Sequence, residues 1–157
     1  MTENPNTPPI ELDEQLVNRL NHLLELNIDS QSGYKLAAAN VQEDQYRELL
    51  AEYANQRGLF VDQLSQLLRQ QDEIPTETGT LGEALRAGWL NLKVALGSGD
   101  GAIFAECVRE DETVVSAYQD AFGHITQEPL LEVLRQQFTD IRNAYERVKA
   151  LRAALGR

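Results

Sequence analysis

The chain has 157 residues, which is enough for one domain with a single hydrophobic core and hardly enough for two. Its 25 acidic and 14 basic residues give a formal net charge of −11, so it lacks the basic face that a nucleic-acid binder needs to neutralise phosphates; binding to an anionic membrane surface is disfavoured for the same reason. No apolar run approaches the roughly 20 residues that span a bilayer, and the N-terminus has neither the basic start nor the apolar stretch of a signal peptide. The single cysteine, Cys107, excludes an internal disulfide and suits a reducing compartment, so we expect a cytoplasmic protein. From the charge and the lack of an apolar span we expect neither nucleic-acid nor membrane partners.

The first half of the chain predicts a helical hairpin. Residues 1–10 are polar and rich in proline, and we interpret them as a disordered tail before a single domain over 11–157. Apolar residues then recur every three or four positions over 12–40 and again over 42–71, which is typical of amphipathic helices. Because almost nothing separates these two segments, they should pack as an antiparallel pair.

The segment 72–101 differs, because two loop-like stretches flank a shorter amphipathic pattern. Thr80 is the predicted N-cap of this short helix, and Trp89 is predicted to anchor it on the rest of the fold. A third long helix is predicted over 102–122. A fourth is predicted to follow an N-cap at Thr126 and to run to about residue 155.

Two long hairpins joined by about 30 residues predict an all-α, ferritin-like four-helix bundle with one long crossover that carries a short extra helix. A crossover of this kind returns along the bundle, so the second and third long helices run parallel. The alternative is an up-down-up-down bundle with the short helix packed on one end. A short loop would suffice for that arrangement, so the crossover is favoured.

Bundles of this class can hold two iron or manganese ions, and the ligands have a recognisable spacing. The usual set is one inward Glu on each of two helices and a Glu-x-x-His pair on each of the others. The chain has two histidines, His22 and His124, and neither follows a glutamate by three residues. We interpret His22 and Glu25 as a solvated pair, and His124 as a cation near the C-terminus of the preceding helix.

Polar residues nevertheless point inward near the middle of the predicted helices. Glu110 and Asp111 are the inward carboxylates, and both lie on one helix, whereas Glu52 and Glu106 reach the core only from the flank. Tyr145 adds a phenolic oxygen. These five residues are weak candidate metal ligands. The sequence assigns no catalytic and no cofactor-binding residue. We expect either no cofactor or, if a metal is bound, iron or manganese.

Arg57 lies on the inward face of the second helix and allows two readings. In one, its guanidinium is buried and paired with Asp111 or Glu110 on the parallel third helix, in the volume that a metal site would use. In the other, the side chain extends along its stem to solvent. The residues alone leave both open.

A possible interface between copies is predicted on the first helix. Leu26, Ile28 and Leu36 lie off its main apolar face, and an exposed apolar strip of this kind would favour a dimer. The tyrosines and Cys107, in contrast, are interpreted as core packing.

Several stretches resemble a bacterial family of small ferritin-like proteins catalogued as a domain of unknown function. They are LNHLLELNIDSQSGYKLAAANV, ANQRGLFVDQL, GTLGEALRAGWLNLKVALGSGD, AECVREDETVVSAY and YERVKALRA. The resemblance implies a ferritin-like bundle in a bacterial cytoplasm without an established activity. It also implies that Asp111 and Arg57 match a common acidic and a common basic position, as an internal pair, and that Tyr145 stands where some members carry a histidine.

Two functions follow as expectations. The first is a non-enzymatic ferritin-like bundle with an incomplete di-metal site, which serves in a stress response or binds a protein partner. The alternative is a di-iron or di-manganese carboxylate oxidoreductase, or an iron-handling protein, with atypical ligands.

Overall fold

The computed structural model describes residues 11–75 and 97–156, and these form an all-α bundle of four long helices. Within these two stretches there is no β-strand. The predicted fold class is confirmed at the level of an all-α four-helix bundle. The helices are α1 (Glu14–Asn40), α2 (Asp44–Gln70), α3 (Asp100–Phe122) and α4 (Glu128–Leu155).

Local chemistry explains most of the helix ends. The Asp13 carboxylate accepts a hydrogen bond from the Leu16 amide at 2.8 Å, so α1 begins slightly later than predicted. α2 ends in a Schellman motif, in which Asp72 adopts a φ of 58° and the Glu73 amide donates to the Leu68 carbonyl. The predicted N-cap Thr126 is wrong by one residue, because Gln127 occupies that position, with Pro129 in the first turn of α4.

The turn before α3 requires glycine at two positions. Gly97 and Gly99 have φ values of 91° and 99°, which favour a residue without a side chain. The Asp100 carboxylate then accepts hydrogen bonds from the amides of Gln42 and Glu43, at 2.8 and 3.3 Å. The start of α3 is thereby tied to the turn between α1 and α2.

Contacts between the hairpins determine the direction of each helix. The Tyr46 ring meets Phe104 and Arg57 meets Asp111, so positions increase together along α2 and α3, and these two helices are parallel. Gln127, next to α4, exchanges two hydrogen bonds with the backbone of Glu11, so α1 and α4 start at the same end. α2 therefore ends, and α3 begins, at opposite ends of the bundle, which agrees with the favoured crossover.

The predicted short helix of this crossover, with Thr80 and Trp89, falls on residues 76–96 and lies outside the described part of the chain. The predicted tail, 1–10, lies outside it as well. None of the four helices combines the length and the apolar character needed to cross a bilayer.

The core consists of two apolar clusters separated by polar side chains. One cluster is centred on residues such as Leu20, Leu64 and Leu134, and the other on residues such as Leu50 and Phe104. On α1, α2 and α3 the buried residues Asn27, Arg57 and Asp111 fall between the two sets, whereas Gln137 on α4 lies within the first. The middle of the bundle is therefore where buried polar chemistry is concentrated.

The apolar strip predicted on α1 is wrong. Leu26 is only 2% exposed and belongs to the core, and Ile28 and Leu36 pack against the core while partly buried. The physical reason is that α1 packs against both α2 and α3, so its buried face is wider than a single helical stripe. The predicted dimer was inferred from this strip, so the structure no longer supports that inference.

Candidate functional site

The centre of the bundle holds an ion pair between Arg57 on α2 and Asp111 on α3. Both side chains are fully buried. The two terminal nitrogens of Arg57 donate to the two carboxylate oxygens of Asp111, at 2.8 and 3.2 Å, so the contact is bidentate. Of the two interpretations of Arg57, the structure agrees with the buried, paired side chain and not with the one that extends to solvent.

Tyr34 extends this pair to α1. Its hydroxyl donates to Asp111 Oδ2 at 2.5 Å, and the Arg57 guanidinium lies 5.2 Å from the centre of its ring. The edge of the same ring meets Tyr53, with ring centres 5.7 Å apart. We call Arg57, Asp111 and Tyr34 the charged layer; it joins α1, α2 and α3 through side chains that water does not reach.

Burial and the charges of this layer shift the pKa values of Arg57, Tyr34 and the neighbouring Cys107. Burial by itself would lower the pKa of Arg57, but the Asp111 carboxylate reverses this effect and raises it above its usual value. Burial, and then the negative charge of Asp111, raise the pKa of Tyr34 and of Cys107 well above their ordinary values. Tyr34 therefore remains a neutral donor, and Cys107 an inert thiol, near neutral pH.

A second set of buried polar residues lies closer to the C-terminal end of α3. Asn27 donates to the Tyr118 hydroxyl at 2.9 Å, and that hydroxyl donates to Gln137 Oε1 at 2.8 Å. The Gln137 amide then donates to Gln63 Oε1 at 2.9 Å. We call Asn27, Tyr118, Gln137 and Gln63 the neutral layer; it connects all four helices without a formal charge.

Two of the predicted metal ligands lie beside the charged layer but face another cation. Glu106 forms an ion pair with Arg109, one turn along α3. Glu110 is 6% exposed, and one of its oxygens lies 3.7 Å from the same guanidinium. Burial raises the pKa of Glu110 to about 7, although Arg109 opposes the shift.

The remaining candidates are not brought to the centre. Glu52 is exposed, and the Tyr145 hydroxyl donates to Glu112 at 3.2 Å near the surface. His22 is exposed too, and His124 lies 3.8 Å from Asp120 as a half-exposed pair within one turn. The five predicted ligands thus do not converge.

These positions decide whether the residues fit a di-metal centre, which needs several oxygen or imidazole ligands around one point. Asp111 already uses both carboxylate oxygens for Arg57 and Tyr34. Within 11–75 and 97–156, no three His, Cys, Asp or Glu side chains are grouped so that they could hold a metal ion. The residues of the described bundle therefore do not fit a di-iron or di-manganese centre.

The sequence placed Arg57, Glu110 and Asp111 on inward faces, where the structure also buries them, but two connections were missed. Gln63 was not expected at the end of the neutral layer, and Asp100 was not expected to bind the α1–α2 turn. Neither has a sequence signal, because each contact depends on how far one helix is shifted along another. Only the acidic first residue of α3 follows a known preference.

Comparison with known proteins places this bundle in a family. No curated protein matches the chain. A family model described as "Domain of unknown function (DUF2383)" matches residues 15–124, which include all of α1 but its first residue, α2, α3 and the whole charged layer. The chain therefore belongs to the DUF2383 family.

Proposed function

We propose that this protein is a ferritin-like bundle whose centre is built from an ion pair instead of a metal site, and that it works by binding a protein partner rather than as a di-metal oxidoreductase. The observation that carries the proposal is the fully buried, bidentate contact between Arg57 and Asp111. The ferritin-like relationship is supported by the single long crossover and the parallel α2 and α3, a connectivity typical of that class.

The ion pair opposes metal binding for an electrostatic reason. A divalent cation near Asp111 would have to displace the guanidinium, or share a carboxylate with it across a few ångströms of low dielectric. Displacing Arg57 would leave a fully buried cation without its partner, which costs about 3–5 kcal/mol. The charge that a metal would supply is already present in the side chain.

Because the centre of the bundle is filled by these buried contacts, we propose that the function is carried by the surface. The Arg57–Asp111–Tyr34 contacts and the chain from the Asn27 amide nitrogen through Tyr118 to Gln137 engage most polar groups of the two layers, and burial raises the pKa of the Cys107 thiol. The exposed surface belongs to a chain with a net charge of −11, so we propose a protein partner with a basic face. A role in a stress response is compatible with such a module.

Metal analysis tests the proposal directly. The purified chain is analysed by mass spectrometry for bound metals, then loaded with Fe(II) without oxygen and followed optically on exposure to air. We expect the wild-type chain to bind no more iron than a parallel sample of Arg57→Met, because neither protein has a convergent set of ligands. About two irons per wild-type chain, with an oxidation band, would overturn the proposal in favour of the di-iron or di-manganese alternative.

A further inference from the structure

The exposed side of α4 differs in charge from the rest of the bundle. α4 has five basic and four acidic residues, whereas the whole chain carries a net charge of −11. Its C-terminal half holds four exposed cations, which are Arg142, Arg147, Lys149 and Arg152. α4 is therefore the only helix of the described bundle with a positive formal charge.

Cations and aromatic rings follow a regular spacing along this helix. The basic stripe, as we call it, consists of Arg135, Phe138, Arg142, Tyr145, Lys149 and Arg152. The spacing alternates between three and four residues, so these side chains lie along one line of the helix. Each residue is ~10 Å from its counterpart seven positions further on.

The two aromatic rings place the basic stripe on the side of α4 that faces α3. The centre of the Phe138 ring lies 6.3 Å from that of Tyr118 and 5.4 Å from that of Phe122. The Tyr145 hydroxyl donates to Glu112. Both rings are half-buried, so apolar surface remains accessible between the cations.

Most cations of the basic stripe lack a carboxylate partner. Arg142, Lys149 and Arg152 form no ion pair with a described residue, and Lys149 lies 5.6 Å from the centre of the Tyr145 ring instead. On α1, α2 and α3, in contrast, every arginine except Arg69 is paired with a carboxylate. These charges of α4 are therefore available to a partner.

The helix dipole does not account for the basic stripe. It stabilises cations in the last turn of a helix, and of these residues only Arg152 lies there. Arg142 lies more than three turns before the end of α4. Arg135 lies further back and is paired with Glu128 at 3.2 Å. The regular row of cations thus needs another explanation.

We propose that the basic stripe is a docking surface for an acidic amphipathic helix of a partner protein. A helix laid along the stripe meets a cation every two turns, so carboxylates at the same spacing pair with these cations while apolar side chains cover the rings of Phe138 and Tyr145. A polynucleotide fits less well, because its continuous charge is repelled by the other, acidic surfaces of the chain. The proposal goes beyond the proposed function, since it concerns a surface of opposite charge and a different partner.

Peptide binding to the wild-type protein tests the proposal first. The probe is a fluorescently labelled three-heptad peptide with leucines along one line of its helix and glutamates on both sides of that line. It should bind in about 0.05 M NaCl and lose affinity towards about 0.5 M. A peptide of the same composition, with these residues spread around the helix, should bind more weakly. Amide NMR should place the perturbed signals on α4 and the adjoining side of α3.

Charge reversal then tests which cations bind the peptide. Arg142→Glu combined with Lys149→Glu should weaken binding by about tenfold or more. The control is Lys35→Glu combined with Arg69→Glu, which makes the same change of charge at exposed positions of α1 and α2 and should weaken binding less than about twofold.

Four results would overturn the proposal. They are a lack of peptide binding to the wild type, equal affinity for the two peptides, equal losses in the two charge-reversed variants, and perturbed signals on α1 and α2 instead of α4. Tighter binding of a single-stranded oligothymidylate than of the peptide would also overturn it and would assign the stripe to nucleic acid.

Discussion

The charged layer and the neutral layer occupy neighbouring positions in one core but stabilise it in different ways. Arg57, Asp111 and Tyr34 join three helices through a bidentate ion pair, which is strong once formed but requires two charges to leave water. Asn27, Tyr118, Gln137 and Gln63 join all four helices through uncharged hydrogen bonds, which cost less to bury. The charged layer should therefore be more sensitive to the loss of one partner and more tolerant of the loss of both.

Loss of the Arg57 guanidinium should have the largest effect. Arg57→Met leaves the Asp111 carboxylate buried without its cation, and we expect the free energy of unfolding to fall by about 3–5 kcal/mol. Denaturant unfolding at pH 7 measures the change. The control is Arg47→Met on the same helix, whose side chain is half exposed and whose loss should cost less than about 1 kcal/mol. Similar costs for the two variants would mean that the buried ion pair is no more sensitive to the loss of one partner than an exposed one.

Loss of one hydroxyl in the neutral layer should have an intermediate effect. Tyr118→Phe leaves Asn27 and Gln137 without their shared partner, and we expect a cost of about 1–3 kcal/mol. Tyr145→Phe is the matched control, because its hydroxyl donates to Glu112 near the surface and its removal should cost less than about 0.5 kcal/mol. Thermal unfolding of both variants makes the comparison; equal losses would mean that the neutral layer adds nothing beyond packing.

The smallest predicted effect lies outside both layers, at the end of α2. Asp72 adopts a left-handed conformation that glycine favours, and its negative charge lies at a helix C-terminus. Asp72→Gly should raise the free energy of unfolding by up to about 1 kcal/mol. Asp72→Asn, which removes only the charge, should give about 0.3 kcal/mol. A destabilised Asp72→Gly variant would show that the loop after α2 depends on the carboxylate.

The sequence predicted the architecture better than the chemistry at its centre. Periodicity and helix-end signals are local, so four helices and their connectivity followed from 12–40, 42–71 and the later segments. The inward faces of Arg57 and Asp111 were also visible, because each helix has one apolar side. The partner of Arg57 was not visible in the sequence, because it depends on how far α2 is shifted along α3.

The same limit explains the failed strip on α1 and the missed role of Gln63. A helical wheel assigns one buried side, but α1 contacts two neighbours and buries Leu26 as well. Gln63 makes its hydrogen bond only because α4 brings Gln137 to it. Contacts of this kind arise from tertiary packing, and no spacing along the chain encodes them.

The central claim is that Arg57 and Asp111 act as one unit that takes the place of a metal site. A double-mutant cycle with Arg57→Met, Asp111→Leu and the combined variant measures this coupling. We predict that each single change costs about 3–5 kcal/mol and that the combined variant recovers most of the loss, because no buried charge is left unpaired. Additive losses in the combined variant, or single losses near zero, would contradict the claim.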